Sequence, residues 1–221
     1  MRQAWTCPAH PRTAGGAPAR RGAFGHIPSN VVSPPIFRQA VDALRSVQPR
    51  PELRLVDIAA PRRLAPHSFA LGVELADDAH TPVGPVDADV DVTGRLVLLH
   101  DPDARDAWAG TFRMVCYLRA PLDVEQADDP LLLAVGWSWL TDALEGAHAS
   151  YAALGGTVTR TCSARFGDIP GPTRSDDVEL RASWTPTDTE FARHAEAFYR
   201  LVTHAIGLPE VGVSLMTDRH S

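Results

Sequence analysis

Lysine is missing altogether: all 21 basic residues of this 221-residue chain are arginine. Without lysine there is no Schiff-base nucleophile, no pyridoxal anchor and no phosphate-loop ammonium. Cysteine is scarce. Cys7, Cys116 and Cys162 make no C-x-x-C pair and are odd in number, which disfavours a zinc site or a disulfide framework and points to reduced thiols. No apolar segment near the N-terminus resembles a secretory leader. The longest apolar run, residues 131–140, is interrupted by Gly136 and Ser138 and is about half the length of a membrane helix. G-x-S-x-G, H-E-x-x-H and G-x-G-x-x-G are all absent. These absences predict a soluble cytoplasmic protein with no membrane segment, no cofactor and no metal.

What is present begins with charge. The formal net charge is -6, yet residues 1–33 hold Arg2, Arg12, Arg20 and Arg21 and no acidic residue. Setting those four charges aside leaves the rest of the chain at -10. An acidic body disfavours nucleic acid as the main partner. Residues 1–32 are rich in Pro, Gly and Ala without hydrophobic period, and read as a disordered arm or an over-extended start. Residues 33–209 read as one α+β domain, and 210–221 as a flexible tail.

Within the domain, Ser33 is a candidate cap before Pro34 and Pro35, and Phe37, Val41 and Leu44 follow at helical spacing. Strands are predicted over 53–58, 69–75, 95–100 and 111–119, the last two joined by the turn at Asp101-Pro102-Asp103. A second helix is predicted from Asp129-Pro130, its seam running Leu133, Trp137, Leu140, Leu144, Ala147, Tyr151, Leu154 to a stop at Gly155-Gly156. Two more strands (157–166 and 178–184) precede a last helix, opened by a Thr187-x-x-Glu190 capping box and closed at Gly207. The order α-β-β-β-β-α-β-β-α clusters its strands, which predicts a largely antiparallel sheet of about six strands with three helices.

Four features invite a functional reading. The run Asp87, Asp89, Asp91 resembles a calcium loop, but Val92 and Leu98 stand where that loop needs Gly and Glu, so it reads as a solvated acidic loop. His100, Asp101 and Asp103 form the densest titratable cluster, suited to a base or to an ordinary turn. Cys116 is a nucleophile only if a histidine is delivered to it, and otherwise a small core residue, as is Cys162. In Trp137-Ser138-Trp139, residues two apart on a helix point about 200° apart, so Trp139 joins a second apolar stripe with Leu132, Val135 and Ala143. That stripe is either buried in the same domain or a partner surface.

Segments 94–103 (GRLVLLHDPD), 110–113 (GTFR), 135–144 (VGWSWLTDAL), 155–160 (GGTVTR), 179–186 (ELRASWTP) and 207–209 (GLP) together resemble an actinobacterial family, domain of unknown function three thousand. The resemblance spans roughly residues 34–209. It implies an actinobacterial cytosolic protein with no assigned activity, and genes beside one for a ribonuclease-D-like exonuclease. More loosely, the element order resembles the type III secretion chaperone and YbjN-like folds, which bind proteins.

The leading expectation is a non-catalytic protein-binding or adaptor module, contacting a partner or a second copy through Leu132, Val135 and Trp139. One alternative is a small enzyme or ligand-binding protein centred on His100, Asp101 and Asp103, which requires a pocket joining His100 to Arg113 or Cys116. A second is an accessory factor in RNA metabolism, which requires arginines clustered on the folded body.

Overall fold

The computed structural model describes residues 33–76 and 93–208. The predicted arm 1–32, the acidic run at Asp87, Asp89 and Asp91, and the tail 210–221 lie outside the described residues. The elements are α1 (Pro35–Ser46), β1 (Leu53–Asp57), β2 (His67–Leu75), β3 (Thr93–Arg105), β4 (Gly110–Leu122), a short α2 (Val124–Asp128), α3 (Leu132–Gly146), β5 (Tyr151–Ala164), β6 (Arg174–Pro186) and α4 (Phe191–Ala205). The strands form one antiparallel sheet in the order β1-β2-β3-β4-β6-β5. The α+β class and the element order agree with the sequence, with α2 added.

Period-two alternation decides which face of the sheet is buried. Leu96 and Leu98 on β3, Met114, Cys116 and Leu118 on β4, and Val178, Leu180 and Trp184 on β6 all point into one core. The three long helices cover that face, with α4 packed against both α1 and α3. Helix α4 contributes the fully buried Phe198, Leu201 and Val202. Full burial of such side chains stabilises by roughly 1.5–3 kcal/mol each.

Several element ends differ from expectation. Helix α3 stops at Gly146, and Tyr151 and Leu154 belong to β5. The stop is a Schellman closure built on His148 at φ 53°: His148 N–H donates to Glu145 O and Ala149 N–H to Leu144 O. The same closure ends α4 at the expected Gly207, whose φ is 67°. Residues Gly155 and Gly156 lie inside a strand.

The caps also moved. Asp129 Oδ1 accepts from Leu131 N–H just ahead of α3, and α1 is preceded by Pro34 with no side-chain cap. No capping box opens α4, where Asp188 Oδ1 accepts from Glu190 N–H. A complete box opens α2 instead, between Asp123 and Gln126. Strand β3 continues through the predicted turn at 101–103, and the chain reverses at the 3-10 turn over 106–108. A register shift between His100 and Arg105 absorbs Pro102, which cannot donate to a ladder.

Candidate functional site

The predicted site residues do not converge. His100 points into the core, where its ring stacks on Phe112 at 4.3 Å and on His67 at 5.8 Å. Its Nδ1 lies 3.1 Å from Thr111 O. Burial, ahead of every other influence, pushes its pKa down. The neighbouring Asp101 is buried, and its Oδ1 accepts from Asp103 N–H at 3.3 Å, which makes an Asx-type turn with Asp103 itself exposed. Arg113 lies on the opposite face of β4 from His100 and Cys116. It donates to Ser183 Oγ, Thr185 Oγ1 and Ala153 O. In this way it clamps the irregularity of β5 between Ala152 and Gly155. No pocket joins His100 to Arg113 or Cys116 among the described residues: strand pleating sends Arg113 to the opposite face, and His100 and Cys116 share the inner face but are both buried in the packed core. Nor does any group of three His, Cys, Asp or Glu there suit a metal ion.

Cys116 is 1% exposed, and burial pushes its thiol up to about 12, whereas Cys162 is exposed on β5. A buried, protonated thiol is inert. Native-state alkylation with iodoacetamide followed by peptide mapping is therefore expected to modify Cys162 and spare Cys116. Equal labelling of the two would show that Cys116 is reached.

The expected partner stripe on α3 needs correction. Leu132 is 6% exposed and belongs to the core, while Leu133, assigned to the buried seam, is 48% exposed. Trp139 is half-buried against the core, as is Trp137, and of the three proposed contacts only Val135 is exposed. The helix is rotated so that Gly136 faces Val158 of β5, where a Cβ would stand 3.0 Å from that side chain. The small residue permits the close approach and sets the buried stripe as Leu132, Gly136, Leu140, Ala143 and Leu144.

The outer face of the sheet carries a cluster that sequence patterning alone did not single out. No helix among the described residues covers it. The segment 58–66 turns over one end, where Ser68 Oγ donates to Pro61 O. In the middle, strand register aligns Arg95, Tyr117 and Arg181 in one row across β3, β4 and β6. Val97 and Val115 form the apolar floor beside that row, and Arg119 closes the rim of the shallow basin. Arg181 lies over the Tyr117 ring, its Cζ 5.5 Å from the centroid. Glu179 takes Arg181 Nε at 2.7 Å and the Tyr117 hydroxyl at 3.0 Å. The Arg181 bond leads in holding the Glu179 carboxyl below its ordinary range, and burial leads in raising the Tyr117 phenol. Arg119 is held by Asp177 at 2.8 Å. Arg95 is exposed and has no hydrogen-bond or ion-pair partner among the described residues. Three guanidinium groups around one phenol and an apolar floor suit an anion that also carries apolar surface. The signal in the sequence was the polar member of each strand alternation, but it became a cluster only once the register was known.

Compared with known proteins, residues 33–214 match a family model described as protein of unknown function (DUF3000). No curated protein and no solved structure matches the chain.

Proposed function

Because the chain belongs to the DUF3000 family, whose description carries no activity, we propose from the site itself that it is a non-catalytic binding module. It holds an acidic segment of a partner protein on the outer face of its sheet. The carrying observation is the row Arg95–Tyr117–Arg181 on a face that no described helix covers, with Arg95 unpartnered among the described residues. Carboxylates of the segment meet Arg95 and Arg181, and its apolar side chains lie on Val97 and Val115. Arginine and tyrosine are enriched at protein interfaces, and mixed charge is usual at their rims. Asp177 and Glu179 stand among these arginines, which suits a peptide better than a continuous phosphate chain. The scattered placement of His100, Asp101, Asp103 and Cys116 supports the non-catalytic part.

One observation favours nucleic acid as a second reading. An aromatic ring between arginines on an open sheet is also a base-stacking platform. Fluorescence polarisation separates the two, with a labelled peptide of alternating Glu and Leu set against a labelled single-stranded oligouridylate. The expected result is binding of the peptide, weakened about tenfold by Arg95→Ala or Tyr117→Ala and by added salt. Peptide binding indifferent to both substitutions would sink the proposal. Oligouridylate binding that depends on both would replace it with the nucleic-acid reading. No described helix is long and apolar enough to cross a membrane.

A further inference from the structure

The two edges of the sheet are unlike. β1 is five residues long and carries Arg54 and Asp57, the usual guards of a sheet edge. β5, at the other edge, is fourteen residues long, has no proline and holds a single charged side chain, Arg160. That charge does not guard the edge. Arg160 donates to Ala127 O and lies 3.8 Å from Asp128, on the helix side of the sheet. One side of β5 is taken by β6 in a regular register from Gly155 to Ala164. The other side has no strand among the described residues, so its N–H and C=O groups stand as a template for a further strand.

The side chains indicate what that strand is. Thr157, Thr159 and Thr161 project onto the outer face, exposed and spaced two apart, in the sequence Thr-Val-Thr-Arg-Thr. This pattern is self-complementary when β5 runs antiparallel to another β5 about a two-fold axis at Thr159. Thr157 then faces Thr161 of the second copy, Thr159 faces its own counterpart, and the centre of the outer row consists of threonine pairs, flanked by Gly155 opposite Ser163. Such cross-strand pairs are favourable. The same register sets Arg160 opposite Val158 and so keeps the two arginines from facing each other, as they would with the axis one residue later. An isologous contact of this kind closes at two copies and leaves as edges only the two short, charged β1 strands.

We propose that β5 is a homodimerisation strand, joining two chains into one continuous twelve-stranded antiparallel sheet with its axis at Thr159. The contact runs along the far side of β5, one strand from the basin around Tyr117, where Thr157 and Thr159 stand opposite Arg181 and Glu179 of β6, and the outer faces of both copies stay open beside each other.

Light scattering on size-exclusion fractions of the full chain tests this with a charge pair. The wild type is expected at twice the chain mass, and Thr157→Lys/Thr161→Lys, which sets like charges opposite each other, at the mass of one chain. Thr157→Lys/Thr161→Glu sets opposite charges across the same axis and is expected to restore the dimer. A Thr159→Cys chain, mildly oxidised, is expected to form a disulfide linking the two substituted positions, identified by mass spectrometry. This arm holds even where a charged variant folds poorly. A wild-type monomer at about 100 μM overturns the proposal. So does a double-lysine variant that remains dimeric, a charge-paired variant that remains monomeric, or absence of the 159–159 link.

Discussion

Between pH 6.5 and pH 4 the folded protein is expected to lose about 3 kcal/mol of stability through His194 alone. This side chain is 0% exposed, and burial pushes its pKa down to about 4, against a nearby Asp188 that acts weakly in the other direction. Its Nδ1 accepts from the fully buried Trp184 Nε1–H at 3.1 Å, so the imidazole is needed in its neutral form. In the unfolded chain the same ring takes a proton near 6.5. Between the two values the unfolded state binds more protons than the folded one, so stability is fully present above about pH 6.5 and drains away as the pH falls. Burial shifts His100 in the same direction, which adds to the slope. Denaturant titrations at several pH values measure it. His194→Asn, whose amide oxygen can still accept from Trp184, is expected to flatten the dependence above pH 4. An unchanged slope in that variant would remove His194 as its source.

Gly156→Ala is expected to cost about 2–3 kcal/mol, and Gly155→Ala next to it less than about 0.5 kcal/mol. A Cβ on Gly156 would stand 2.3 Å from Arg181 O and 2.8 Å from Ala182 Cα, both backbone atoms of β6. β5 would have to lift away from its only partner strand among the described residues to make room. A Cβ on Gly155 meets nothing within 4 Å. Thermal melting of the two variants side by side checks the contrast. Equally small losses would mean that β5 yields at little cost, and that the close approach at Gly156 is not what fixes its register.

These glycines also show where the sequence could be read and where it could not. The last helix was legible to its end because Gly207 supplies the left-handed residue that its closure requires. Helix α3 closes identically on His148, a residue with no such signature, so the apolar spacing ran on past Gly146 through Tyr151 and Leu154 to the glycine pair at 155–156. Its rotation was equally hidden. Leu131, Leu132 and Leu133 are consecutive and satisfy any helical phase, while the true centre of the buried stripe is Gly136, which has no hydrophobic side chain to announce itself. The strands were found because alternation is a local property. The clusters were not, because His100 against His67 and Arg95 against Tyr117 and Arg181 depend on register between segments far apart in the chain. The titratable turn at 100–103 looked dense along the sequence, yet the pleat distributes its members to different surroundings.

The place of α4 has a consequence for how the chain is made. It is the last of the described elements, yet it packs against both α1 and α3 and supplies much of the core. On a translating ribosome, the inner face of the sheet and the buried sides of α1 and α3 therefore wait for residues 191–205 to leave the exit tunnel. Until then the core side of β3 and β4 lacks the cover of α4, and a nascent chain halted before Phe191 presents this greasy surface to chaperones and proteases. The core of this domain is thus completed only by its final helix.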